Sequence, residues 1–149
     1  AFAKIAPAAQ QSLIAMGRQA DESGIDKQII ELVKLRVSQL NNCAFCLQIH
    51  LNVSRKLGLP QEKLDLVATW EEAGIFSERE CAALAWAETL TRLVGHSVPD
   101  AAYEAVRRHF SEEEVTFLSV SIATINAWNR LGAAFRFSPP ILKAIRPPT

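Results

Sequence analysis

Apolar residues recur at helical spacing along most of the chain, and no stretch alternates apolar and polar positions for more than a few residues. A first run begins at Pro7, which suits the opening turn of a helix, and extends to about Asp21 before Gly24 stops it. Asp26 is a natural N-cap for a second helix over about 26–41, with Ile29, Ile30, Leu32, Val33, Val37 and Leu40 on its apolar side. Asn41 and Asn42 break and recap the chain. A third helix then covers about 43–57, closed by Gly58 and Pro60, and a fourth covers about 61–72. Ser77-Glu78-Arg79-Glu80 and Ser111-Glu112-Glu113-Glu114 both have the capping-box pattern, in which hydroxyl and carboxylate each satisfy a free backbone N–H. They open helices over about 77–94 and 112–136, with a short helix starting at Pro99-Asp100 between them. The tail from Ser138 holds four prolines and reads as extended. No repeat, low-complexity stretch or linker divides the sequence, so a single all-α domain over residues 1–149 is predicted.

The last long helix stands apart. Val115, Phe117, Leu118, Val120, Ile122, Ile125, Trp128, Leu131, Phe135 and Phe137 surround most of its circumference. A helix that is apolar nearly all round is covered on most sides. Either its own chain wraps it, or copies of the chain pack together; homo-oligomerisation is the expectation. Trp70, Trp86 and Trp128 are expected to anchor the core or an interface.

Composition narrows the classes. Apolar residues are 49% and charged residues 21% of the 149, an ordinary globular balance that excludes overall disorder. Sixteen basic residues balance sixteen acidic ones without a basic run, which argues against a nucleic-acid or anionic-membrane surface. The apolar stretches carry polar interruptions, so no transmembrane span is expected. The N-terminal Ala-Phe-Ala-Lys-Ile-Ala-Pro lacks the apolar core of a signal peptide, and a cytoplasmic location is the expectation. Three cysteines are too few for a disulfide scaffold, but Cys43 and Cys46 form a CxxC pair, which in a reducing compartment reads as redox or metal chemistry.

The chemistry concentrates in Glu31–His50. Cys43, Cys46 and His50 are spaced by three and four residues and share one stripe of a helix. Cβ atoms at that spacing lie roughly 5–6 Å apart, whereas a disulfide needs about 3.5–4.5 Å. Closure therefore asks for a local adjustment in the first turn, as suits a reversible bond. The first turn of a helix favours thiolate at Cys43, while His50 favours it at Cys46. These residues alone leave open which sulfur attacks. If helices 26–41 and 43–57 form an antiparallel hairpin, Glu31 lies about 16 Å behind the turn and His50 about 13 Å beyond it. They would then stand level, and the carboxylate would orient the imidazole.

Other readings compete at each position. Glu31 sits one turn from both Lys27 and Lys34 and could be their surface partner. Cys43, Cys46 and His50 supply three zinc ligands, but one helical stripe converges poorly on an ion and a structural site needs a fourth. Cys81 follows a capping box and reads as structural; His96 and His109 have no evident partner.

Taken together, the E-x11-C-x2-C-x3-H pattern resembles the core motif of the alkylhydroperoxidase D-like (AhpD) branch of the carboxymuconolactone decarboxylase superfamily. The flanking Leu35-Arg36-Val37-Ser38-Gln39, Ala85-Trp86 and Ile125-Asn126-Ala127-Trp128-Asn129-Arg130-Leu131 resemble it too, and the similarity spans about residues 3–137. The resemblance implies a compact helical domain whose central hairpin carries the CxxC pair and which assembles as trimers or hexamers. It implies that Cys46 is the peroxidatic thiol, Cys43 the resolving thiol, and His50 and Glu31 a proton relay. The implied activity is a thiol peroxidase reducing a hydroperoxide, recharged by a dithiol that in the best-known branch is carried on a lipoyl-bearing acyltransferase. No metal or organic cofactor is implied. The best-known peroxidase has a histidine between its cysteines where this chain has Phe45, which points to a smaller branch. The alternatives are a general dithiol–disulfide oxidoreductase and a redox sensor without peroxide turnover. The resemblance leaves the roles of Asn126 and Arg130 open.

Overall fold

The computed structural model describes residues 1–141, and all their regular structure is helical. In chain order the helices are α1 (Phe2–Ile5), α2 (Pro7–Asp21), α3 (Lys27–Leu40), α4 (Ala44–Lys56), α5 (Gln61–Leu66), α6 (Trp70–Ala73), α7 (Glu78–Thr91), α8 (Asp100–Arg107) and α9 (Glu112–Ala134). A 3-10 turn, Val67–Thr69, joins α5 to α6. The all-α expectation is met. Asp26 caps α3 by accepting the Gln28 N–H, and both predicted capping boxes form, at Ser77/Glu80 and Ser111/Glu114.

α3 is the hub. One side carries Ile29, Ile30, Val33 and Val37 into a cluster with Trp86, Leu118, Ile122 and Ile125. The other side carries Leu32 and Leu35 into a second cluster with Leu59, Leu64, Val67 and Leu84. Each such side chain contributes about 1.5–3 kcal/mol by leaving water, so a helix with apolar residues on two sides is held between layers. α9 packs against α2, α3, α4, α7 and α8. Its apolar circumference is thus explained in large part by the chain's own helices. Trp86 is buried and donates its Nε1–H to Ser119 Oγ, while Trp70 donates to Glu88.

Helix α7 stops at Thr91, short of the predicted 94, and two larger features differ from expectation. The helix predicted over 61–72 breaks at Val67–Thr69. Leu64, Val67 and Trp70 are spaced by three, and all three face the second cluster. A local tightening toward three residues per turn keeps them aligned where a continuous α-helix would rotate them away. The short α1 before Pro7 was not anticipated; the Ala6 N–H closes it on the Phe2 carbonyl. The tail forms no helix over 138–141, and Asn52 donates to the Pro140 carbonyl; the rest of the tail lies outside the described residues. Among the described residues no helix is long and apolar enough to cross a membrane.

Candidate active site

The predicted hairpin forms. α3 ends at Leu40, Asn41 caps it, and Asn42 takes a left-handed conformation (φ 54°) that reverses the chain into α4. Asparagine is one of the few residues that adopt this region at low cost. Cys43 is the N-cap of α4, with extended backbone (φ −93°, ψ 94°), and its Sγ accepts the Cys46 N–H at 3.3 Å. This supplies the adjustment the spacing called for. Because Cys43 lies just outside the helix, its sulfur turns toward Cys46, and the two form a disulfide with a Cα–Cα distance of 5.3 Å.

Further along α4, His50 Nδ1 lies 2.8 Å from Glu31 Oε2. Glu31 is 5% exposed and also accepts from Lys34 Nζ, which bridges on to Asp21. Glu31 therefore meets His50 across the hairpin, as the level placement predicted, and also Lys34 along its own helix, but as a buried carboxylate and not a surface one. Burial opposes its ionisation, but the hydrogen bond and charge of His50, with Lys34 beside it, outweigh burial and hold its pKa below the ordinary carboxylate value. An ionised carboxylate only accepts, so Nδ1 of His50 is the donor to it. In the neutral ring Nε2 then carries the free lone pair.

A cavity of about 600 Å³ runs alongside α4, between it, α2 and α9. Its walls are largely apolar, with Phe2, Leu13, Ile49 and Trp128, and its polar side includes His50, Lys34 and Arg18. Phe137 closes edge-on against Phe45 at 5.2 Å between ring centres. Phe45 is thus part of an aromatic wall. Cys46 lines this cavity and Cys43 does not. Cys43 is packed instead against Gly132 of α9, where a Cβ would stand 2.9 Å from its sulfur and 3.5 Å from that of Cys46.

The sequence reading missed Gly132, together with Asn41 and Asn129. Asn129 is 1% exposed; it donates to Ser38 Oγ at 3.1 Å and accepts from Asn41 Nδ2 at 3.0 Å. Asn41 also donates to Asn126 Oδ1, and Asn126 donates to Thr91 Oγ1 and the Ile122 carbonyl. Arg130 is exposed and donates to Asn126. Asn126 therefore joins a polar network behind the hairpin turn and lies outside the cavity lining. One sequence signal pointed there: a glycine inside an otherwise apolar helix costs about 1 kcal/mol against alanine and so marks a close approach.

The remaining candidates stand apart from the pair. Burial, followed by the charges of Glu80 and Glu78, pushes the Cys81 thiol pKa up, which disfavours a reactive thiolate. His96 and His109 do not line the cavity. Among the described residues, no three His, Cys, Asp or Glu side chains gather as a metal-binding group.

Over residues 7–89 the chain matches the Carboxymuconolactone decarboxylase family, and it belongs to that family. It is 36% identical over 133 residues to the uncharacterized protein YdfG of Bacillus subtilis (strain 168), spanning 89% of this chain and 90% of YdfG. The uncharacterized protein YnjA of Escherichia coli (strain K12) is 31% identical over 113 residues, spanning 75% of this chain and 61% of YnjA. Among solved structures, ATU0492 from Agrobacterium tumefaciens superposes with a TM-score of 0.90 at 37% identity, over 95% of this chain and 97% of that one. It is a protein of unknown function offered as an antioxidant defence protein AhpD. These likenesses place the chain in the AhpD-like branch of the family. An uncharacterized peroxidase-related protein from Ralstonia eutropha JMP134, with an alkylhydroperoxidase AhpD core, superposes with a TM-score of 0.77 at 24% identity, over 89% and 71% of the two chains. The debrominase Bmp8 does so at 0.79 and 19%, over 89% and 72%. These two share the fold, and the fold alone leaves the reaction open.

Proposed function

We propose that the protein is a thiol-dependent alkylhydroperoxidase of antioxidant defence, working through a dithiol–disulfide cycle at Cys43 and Cys46. The observation that carries this reading is the division of labour between the two sulfurs. Both cysteines are buried, but Cys46 borders an apolar cavity beside His50, whose ring is held by Glu31, while Cys43 lies off that cavity against Gly132, within bonding reach.

In this cycle His50 Nε2 takes the Cys46 proton, and Glu31 stabilises the imidazolium through Nδ1–H. The thiolate attacks the outer oxygen of the hydroperoxide, the O–O bond breaks, and the alkoxide leaves with a proton returned from His50. Cys46 is oxidised by two electrons to a sulfenic acid, and the peroxide is reduced to an alcohol. Cys43, whose sulfur accepts the Cys46 N–H at the start of α4, attacks the Cys46 sulfur as a thiol. The S–O bond breaks, the departing hydroxide takes the Cys43 proton and leaves as water, and the disulfide remains. A dithiol, such as a lipoyl group on a protein, then exchanges with the disulfide and leaves oxidised. The reading includes a cytoplasmic setting and a homo-oligomer, trimer or hexamer; Ile14, Met16 and Phe135 offer exposed apolar surface that supports assembly.

Reacting single-cysteine variants with cumene hydroperoxide tests the roles. Cys46→Ser should lose the reaction. Cys43→Ser should consume one equivalent and accumulate a sulfenic or over-oxidised Cys46. The reverse pattern would exchange the two roles. Phe45, where the best-known peroxidase has a relay histidine, favours a second reading as a general dithiol–disulfide oxidoreductase. Insulin reduction without peroxide consumption would establish that one.

A further inference from the structure

A fully buried amide facing a helical turn has to be bonded, and which groups satisfy it shows what it holds. Asn129 reaches two points of the same short span. Its Nδ2 donates to the Ser38 hydroxyl, and its Oδ1 accepts from Asn41. The Ser38 carbonyl meanwhile accepts the Cys43 N–H at 3.0 Å. Ser38 is therefore tied to Asn129 through its side chain and to Cys43 through its backbone. Between these ties lie Asn41 and the left-handed Asn42, the residues that aim the chain into α4. Three residues on along α9, Gly132 leaves room for the Cys43 sulfur. Residues three apart share a face of a helix. One face of α9 thus sets both the backbone and the sulfur of Cys43.

We infer that Asn129 is a positioning residue for the resolving step: by pinning the Ser38–Asn41 turn it holds the Cys43 thiol against the Cys46 sulfur and raises its effective concentration there. The catalytic meaning rests on the proposed dithiol–disulfide cycle; the positioning itself does not. In the disulfide the covalent bond already fixes Cys43. In the dithiol only the turn does. Loosening the turn therefore frees the dithiol more than the disulfide, and ring closure becomes both slower and less favourable.

Asn129→Ala removes both hydrogen bonds and adds no bulk to the packed face of α9. Asn41→Ala removes the partner bonds from a half-buried position and does not depend on how α9 tolerates a substitution. Each variant is equilibrated with reduced and oxidised glutathione, and the dithiol fraction is counted by thiol labelling and mass. Both should shift toward dithiol by about tenfold relative to wild type, or roughly 30 mV for a two-electron couple. With cumene hydroperoxide, loss of the Cys46 thiol should proceed at the wild-type rate while more Cys46 is trapped as sulfenic acid before closure. Glutathione equilibria equal to wild type in both variants, with oxidised and reduced proteins destabilised alike, would overturn the inference and leave Asn129 a purely structural amide. The glutathione measurement needs no peroxide, so a failure of the peroxidase reading appears separately, as wild-type protein inert to hydroperoxide.

Discussion

Replacing Gly132 by alanine sets two effects against each other within one helix. Alanine is favoured over glycine in a helix interior by up to about 1 kcal/mol, and that gain applies whatever the state of the cysteines. The added Cβ, however, would stand 2.9 Å from Cys43 Sγ, where ordinary contact is roughly 3.5–4.0 Å. In the disulfide the sulfur is tethered to Cys46 and cannot rotate away, so the strain falls on the oxidised form. Overpacking of this kind costs about 1–3 kcal/mol. In the dithiol, rotation of Cys43 relieves it. The variant should therefore shift the thiol–disulfide equilibrium toward dithiol by roughly 5- to 150-fold, at about 1.4 kcal/mol per tenfold. Glutathione titration with thiol counting reads the shift, and thermal melts of both forms locate it: the reduced protein holds or gains stability while the oxidised protein loses it. An equilibrium within twofold of wild type, with both forms stabilised alike, would refute the packing of Cys43 against this face of α9.

Two further outcomes follow from the electrostatics. The Glu31 pKa is held below its ordinary 4.5 in the folded protein. Its contribution to stability is thus present above that value and lost as pH falls through the lowered folded pKa. Glu31→Gln should cost about 1–3 kcal/mol at pH 7, with the gap to wild type narrowing as pH falls below 4.5; urea midpoints at several pH values check this, and a gap independent of pH would remove the carboxylate's charge from the account. The raised Cys81 pKa predicts that iodoacetamide modifies Cys81 slowly at neutral pH and faster as pH rises well above the ordinary thiol range; fast labelling of Cys81 at neutral pH would contradict it.

The hairpin and its Glu31–His50 contact were readable because they depend on local signals: caps, a turn at Asn41-Asn42, and equal rise along two adjacent helices. The capping boxes at Ser77 and Ser111 were readable for the same reason. What the sequence did not reveal is what α9 brings to the pair. Asn129 and Ser38 are separated by 91 positions, and no local pattern sets the rotation of one helix against another. The break at Val67–Thr69 escaped because alignment of Leu64, Val67 and Trp70 toward a shared cluster overrides the local preference to continue the helix. Which sulfur borders a cavity could not be read from spacing, because that cavity is built by α2 and α9 together with α4.

If the proposed cycle operates, a hydroperoxide closes the Cys43–Cys46 bond. Stopped-flow mixing of pre-reduced protein with cumene hydroperoxide, with free thiols counted before and after, reads this step. Rapid loss of two thiols per chain is expected, those of Cys43 and Cys46, with Cys81 intact. Slow or absent loss, in protein whose pair is still oxidised by a disulfide reagent, would contradict the peroxidase reading and leave disulfide exchange or sensing as the work of this site.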